Sequence, residues 1–399
     1  MPIMALSERD TRLMILSAIL ANLAWGLFSV IFQLYMKEIG YTSKEIGEVL
    51  AIYGISLSSV ALPSGAIADR FGRKSTLIVG YLLEIISLLL LLISKEMSII
   101  RISFLFSGIS AALSHPAYQA LFALHTREME RGFSSLAFFS TFSSSMGSLM
   151  GWIPEVLSGK LGELRAYYLS LLIVFSFFVL SVVPLIWVSP HRDELKEGRR
   201  KERTSFRRIY REKAMLKLIF LNGVIGFGAG LTIPLFTYYF SEKFSVGPGP
   251  IGTLYTVNGL MMSPLFLLSS RLSDKLGLIK AIFYPQLFSI PALALIPLSK
   301  SFEVASILYV YRTAMMNMSN PLITTLGMKL TKEEIRATFS AAFQLSWTVL
   351  NSIGTLLGGK LMASSLDAPL YATSSIYLVY LALFLQLMTP ESTKLKEKA

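Results

Sequence analysis

Stretches of twenty or more mostly apolar residues recur through this 399-residue chain. That length matches the ~30 Å hydrocarbon layer of a bilayer. Twelve such spans are read: 12–36, 44–68, 74–94, 98–122, 133–157, 166–189, 214–240, 249–271, 279–299, 303–328, 336–362 and 368–389. Inside hydrocarbon every backbone polar group must be satisfied within the protein, so the spans are expected to be helices. A membrane β-barrel would show alternating segments of about ten residues, whereas the mostly apolar run from Ile78 to Ile93 is continuous and does not alternate. The expected fold class is an all-α membrane protein. The first span is too long for a signal-peptide core and lacks a small-residue cleavage site, so it is read as retained.

Charge sets the orientation. With the N-terminus, the even-to-odd loops and the C-terminus on one side, that side carries 26 Lys and Arg residues against 9 on the other. Basic loops stay in the cytoplasm, so both termini are expected there, in a multi-pass protein of the plasma membrane. The net charge of +12 therefore reports topology and not nucleic-acid binding. The segment 190–213 holds ten of the basic residues. It reads as a solvated linker, a reading compatible with contact to anionic lipid. Zero cysteines and three histidines exclude disulfides and thiolate chemistry and leave no expected metal site. No phosphate-binding loop, paired catalytic carboxylates or nucleophile–base set is present, so neither a cofactor nor an enzyme activity is expected.

The two halves repeat each other at an offset of 205 residues. Ile46 and Gly47 return as Ile251 and Gly252, Gly54 as Gly259, Asp69 as Asp274, Gly72 as Gly277, and Pro116 as Pro321. Thr126, Glu128 and Arg131 return as Thr331, Glu333 and Arg336. A period this long marks a duplicated unit, and an even number of spans per unit makes the copies parallel. The expected organisation is a six-helix half over 1–189, a linker over 190–213 and a second half over 214–399.

Between spans 2 and 3, Gly65, Asp69, Arg70, Gly72, Arg73 and Lys74 satisfy G-x-x-x-D-[RK]-x-G-[RK]-[RK] at every specified position. The later copy keeps Asp274, Lys275 and Gly277 but has Ser270 in place of the first glycine. With the spans and the parallel repeat, this motif resembles the major facilitator superfamily of secondary transporters, closest to its drug-efflux branch. The resemblance implies alternating access, with Asp69 latching the halves and the motif residues, Arg131 and Arg336 at the gate. Two departures separate the chain from proton-driven drug exporters. Span 5 reads Gly147, Ser148, then Gly151, Trp152 where they often carry G-P-x-x-G-G, and Phe104 stands at the usual span-4 arginine, four residues before Gly108. Ser140, Ser144, Gly147 and Gly151 on span 5, and Trp347, Asn351, Gly354 and Gly358 on span 11, form faces suited to close helix packing.

Polar stripes point to a site. Span 1 carries Asn22, Trp25, Ser29 and Gln33 on one face, and span 4 carries Ser103, Ser107, Ser110, Ser114 and Tyr118. Such stripes should face protein or water. The resemblance places spans 1, 4, 7 and 10 around the cavity, which adds Asn222 on span 7 and Trp347 on the facing span 11. Arg312 lies roughly 13 Å into span 10 at 1.5 Å per residue, with Tyr309, Met316 and Asn320 assigned to its face. An arginine so deep is a functional-site candidate. Glu84, flanked by Tyr81 and Ser87, is the only acid deep in a span and the candidate proton carrier, although the resemblance puts span 3 at the periphery. His115 is the other titratable candidate. Met261, Met262, Met315, Met316 and Met318 suit adaptable apolar contacts.

The leading reading is a monomeric secondary transporter of a small organic solute, with proton-linked efflux of amphipathic compounds. The alternatives are uptake or exchange of an organic anion at Arg312, and a non-transporting membrane sensor. The cysteine-free background makes topology directly measurable. A cysteine at Lys160 is expected to label from outside intact cells and one at Ser392 only after permeabilisation; the opposite pattern contradicts the orientation.

Overall fold

The computed structural model describes residues 2–126, 128–189, 212–332 and 335–397. Most of the basic linker, 190–211, lies outside the described residues, as does Glu333. Every described element is helical. Spans 1 to 4 are Pro2–Glu38, Ser43–Phe71, Arg73–Ile93 and Met97–His125, and span 6 is Glu163–Ile186. Spans 8, 11 and 12 are Pro248–Leu276, Arg336–Ser364 and Ala368–Glu397. Eight described helices, spans 1, 2, 3, 4, 6, 7, 9 and 12, are long and apolar enough to cross a membrane on length and composition alone.

In spans 5, 7 and 10 the helix is interrupted, and in span 9 its end is tightened, where a proline withdraws a backbone donor. Span 5 is Met129–Leu149 and then Trp152–Leu161, with Pro154 in the first turn of the second piece. Span 7 runs Lys213–Thr232, passes through the 3-10 turn Ile233–Leu235 around Pro234, and continues as Phe236–Phe244. Span 9, Leu278–Leu295, ends in a 3-10 turn containing Pro297. Span 10 divides into Phe302–Asn317 and Asn320–Leu330, with Pro321 opening the second piece. Gly72 and Gly277 hold φ of 88° and 78° in the turns that follow spans 2 and 8. An L side chain strains there, which explains why this glycine recurs in both halves.

The helices form two compact units. The first is built on spans 1 to 6 and includes Val246–Gly259, the opening of span 8; the second is built on spans 7 to 12 and includes Ser43–Ala51, the opening of span 2. In the first, span 1 meets span 5 so closely that a side chain at Gly26 would strike the Ser144 carbonyl, and one at Gly147 the Leu23 carbonyl. The second repeats the arrangement between spans 7 and 11: Gly230 faces Asn351, Gly354 faces Phe227 and Gly358 faces Leu231. Asn351 Nδ2 donates to Gly226 O at 3.1 Å and Asn222 Nδ2 to Phe343 O at 2.7 Å. Small residues let helices approach where lipid supplies no hydrophobic drive.

The opening segments follow the same rule. In the first unit Gly252 lies on the Ser148 backbone and Thr256 Oγ1 donates to Ser145 O at 2.8 Å. In the second, Gly47, the repeat equivalent of Gly252, lies against Thr355 and Gly359, and Ser43 Oγ donates to Gly359 O at 3.1 Å.

Gly26 and Gly159 separate packing from propensity. Nothing lies within 4 Å of a Cβ at Gly159, whereas one at Gly26 meets backbone. Gly26→Ala is expected to destabilise the purified protein by about 1–3 kcal/mol, and Gly159→Ala to leave it unchanged or raise it by up to about 1 kcal/mol. Thermal melting in detergent compares them; equal shifts refute the packing account.

Candidate functional site

The first unit contains a cavity of about 230 Å³. Its position follows from how spans 3 and 4 pack. A Cβ at Gly80 would lie 3.0 Å from Ser114 Cβ and 3.1 Å from Ser110 O. That close approach brings Glu84, one turn along span 3, against the serine stripe of span 4. Ser107 Oγ donates to Glu84 Oε1 at 3.0 Å, and one turn further Ser87 and Ser103 share a 3.0 Å hydrogen bond. Glu84 is only 3% exposed, yet it lines the cavity. Span 3 keeps an exposed face at Val79, Leu82, Ile86 and Leu89, as expected of a peripheral helix, while the Gly80 contact turns its acid toward the cavity.

Around the carboxyl stand aromatic walls. Trp25, Tyr81, Tyr118 and Phe178 line the space. Trp25 meets Phe178 edge-on at 6.4 Å between ring centres and Tyr81 meets it at 5.4 Å. The Tyr118 hydroxyl is anchored on Met14 O. Asn22 spends its amide on Ala18 O at 2.8 Å and also faces the cavity. Ser110, Ser114, Gln119 and Ser140 add polar atoms, and His115 is an exposed member of the lining. Glu84 is the one carboxyl among the lining residues, which include no lysine or arginine.

Of the residues singled out in the sequence, Asn22, Trp25, Tyr81, Glu84, Ser110, Ser114, His115 and Tyr118 therefore come together. Gln33 does not join them; it is buried about two turns beyond Trp25, past the part of span 1 that the cavity reaches. Phe178 and Gln119 were missed because a lone phenylalanine in an apolar span, or a glutamine near a helix end, carries no periodic signal.

The second unit holds the other candidates. Arg312 is 4% exposed, donates from Nη2 to Tyr377 Oη at 3.0 Å and lies 5.8 Å from the centre of that ring. Tyr309, one turn earlier, packs edge-on against Phe236 at 4.9 Å. Met316 is buried and its sulfur accepts from Ser289 Oγ at 3.5 Å. Asn320 is exposed. Its assignment to the Arg312 face assumed one continuous helix, and the interruption before Pro321 removes that assumption. Asn222 and Trp347 sit where spans 7 and 11 pack, Asn222 on Phe343 O and Trp347 beside Gly226. Tyr377, 65 residues from Arg312 in sequence, had no signal that tied it to the arginine.

Of the predicted gating residues, Lys74 makes the most specific contacts: its Nζ donates to Ile186 O at 2.8 Å and Val188 O at 2.6 Å, capping the end of span 6. Arg70 is exposed over the Phe71 ring at 5.5 Å. Arg131 pairs with Glu128 at 2.9 Å on the surface. Gly65, Asp274, Lys275 and Arg336 are exposed, and Arg73 is half-buried. The Asp69 side chain lies outside the described residues.

The model of the Major Facilitator Superfamily matches residues 14–355 and 218–399. The chain belongs to this superfamily. It is a multi-pass membrane transporter with the twelve-helix fold of its relatives, not an enzyme. It is 24% identical to Multidrug resistance protein 1 of Bacillus subtilis (strain 168) over 382 residues, 94% of this chain and 95% of the relative. It is 21% identical to Quinolone resistance protein NorA of Staphylococcus aureus over 380 residues, with the same coverage. Among solved structures, nucleoside transporter NupG aligns with TM-score 0.74 at 14% identity, covering 97% of this chain and 98% of that one. A D-xylose–proton symporter aligns with TM-score 0.73 at 14% identity, covering 94% and 96%.

Trp25 and Gln33 test the cavity. With a lipophilic cation such as tetraphenylphosphonium as probe, Trp25→Ala is expected to weaken binding by about 2- to 30-fold, the loss of roughly 0.5–2 kcal/mol of cation–π interaction. Gln33→Ala is expected to leave affinity unchanged. Isothermal titration in detergent measures both; equal losses refute the assignment.

Proposed function

We propose that the protein exports amphipathic compounds, foremost organic cations, in exchange for protons, and that both bind in the first-unit cavity. The observation that carries this reading is the lining: one carboxyl, Glu84, set among Trp25, Tyr81, Tyr118 and Phe178 with no basic lysine or arginine. Aromatic faces attract cations, and a single carboxylate takes either a proton or an organic ammonium. The small number of directional contacts suits varied substrates. The names of the relatives, a multidrug and a quinolone resistance protein, support export as the direction.

In this reading the protein acts as a monomer in the plasma membrane, with both termini cytoplasmic, and alternates access by rocking its halves. Asp69 and the residues around it serve as the gate. Lys74 fixes the end of span 6 to the start of span 3, which lets that corner move as one piece. Exchange of an organic anion at Arg312 is the second reading, favoured by a buried guanidinium that forms no ion pair among the described residues. A sensor that binds without moving solute is excluded by any measured flux.

Glu84→Gln tests the coupling. The amide keeps the shape and still accepts from Ser107 but carries no titratable proton. In proteoliposomes with an imposed pH gradient, the variant is expected to lose uphill accumulation of a cationic dye and to retain downhill exchange. Undiminished accumulation refutes Glu84 as the carrier.

A further inference from the structure

Among the described residues, the second unit contains a buried cation without a counter-charge. Arg312 is 4% exposed. Among the described residues its hydrogen bond goes from Nη2 to the Tyr377 hydroxyl at 3.0 Å, and its Nε has no partner. No carboxylate forms an ion pair with it among those residues, although the same unit pairs Lys217 with Glu391 and Lys243 with Asp367 at 2.7 Å each. Around it stand the Tyr377 ring at 5.8 Å and Tyr309, itself packed on Phe236 and Phe240. These groups offer π density and a hydroxyl, but no full negative charge.

Such a site has few ways to relax. A guanidinium does not deprotonate in proteins, so it cannot neutralise itself as a buried lysine does. An isolated buried charge is strongly unfavourable unless it is paired and hydrogen-bonded. Nε and Nη2 form one side-on fork of the guanidinium, the geometry that receives an anion through two N–H groups. Tyr377 occupies one Nη2 hydrogen and leaves the Nε hydrogen unspent.

We propose that the Nε edge of Arg312 is a binding subsite for a monovalent anion, which supplies the missing counter-charge. Two sources share this chemistry: an inorganic halide from solution and the carboxylate of an organic solute. The subsite lies in the second unit and does not depend on the export reading or on Glu84.

Thermal melting of the purified full-length protein in detergent tests it. Sodium isethionate, a bulky hydrophilic sulfonate, holds ionic strength constant while chloride, bromide or benzoate replaces it. A saturable rise in Tm with at least one of these, absent in Arg312→Gln, is the expected result. Saturation by chloride and bromide alone assigns a resident halide, and saturation by benzoate alone assigns a solute carboxylate. No saturable rise with any of them, or a rise that persists in Arg312→Gln, overturns the subsite. Should Arg312→Gln fail to fold, Arg312→Lys keeps the charge without the fork. It is expected to raise the half-saturating anion concentration about tenfold, and an unchanged value overturns the proposal. Transport of a cationic dye is not read in this experiment, so its outcome is separate from that of the export reading.

Discussion

Hydrocarbon offers no hydrogen bonds, and that single property organises the chain. It forces the spans into helices, and it removes the hydrophobic drive that would join one helix to another. What joins them instead is closeness. Gly26 and Gly147 admit the span 1 and span 5 backbones to direct contact, and Gly230, Gly354 and Gly358 do the same for spans 7 and 11. At that distance short side chains reach across: Ser346 Oγ donates to Ile219 O at 3.1 Å and Asn222 to Phe343 O. Glycine and serine, negligible as hydrophobes, carry much of the association.

The same rule places the candidate site. Polar side chains are tolerated only where they meet one another or a cavity. Glu84 is held by Ser107 and opens onto space bounded by aromatic rings. Its accessibility is a by-product of Gly80, because a larger residue there would push span 3 away from Ser110 and Ser114. Packing and chemistry are thus linked through one residue that makes no polar contact of its own. In the second unit, by contrast, the buried polar group is an arginine met by tyrosine. The two units share a mode of helix packing, yet they bury opposite charges.

Much of this was legible in the sequence, for physical reasons that can be named. Span length reports hydrocarbon thickness, so most spans could be drawn to within a few residues, although Pro2–Glu38 begins ten residues earlier and Ala368–Glu397 ends eight residues later than read, where the helices run on past the apolar stretch. The serine stripe of span 4 was rightly assigned to a protein-facing side, since Ser103, Ser107 and Ser110 all turn toward span 3 or the cavity. Gly72 and Gly277 recur because both turns require a positive φ. The interruptions of spans 5, 7 and 10 were less legible. Proline also sits inside unbroken helices here, at Pro63, Pro116 and Pro184, and only packing decides which one ends a helix. Side-chain partners distant in sequence, such as Tyr377 for Arg312 or Ile186 for Lys74, were invisible because no periodicity links separate spans. The inward turn of Glu84 was hidden for the same reason: it depends on a contact between Gly80 and the span that follows.

The central claim is that a proton and a cationic substrate occupy the same carboxyl by turns. Linkage makes this measurable without transport: if they exclude one another, binding of either lowers the affinity of the other by the same factor. The direct test records proton release when tetraphenylphosphonium is added to purified protein in weakly buffered detergent solution, near the midpoint of the carboxyl's titration. Release that approaches about half a proton per bound cation at that midpoint, rises toward one at lower pH and disappears in Glu84→Gln is the expected result. Saturable cation binding with no proton released at any pH would contradict it.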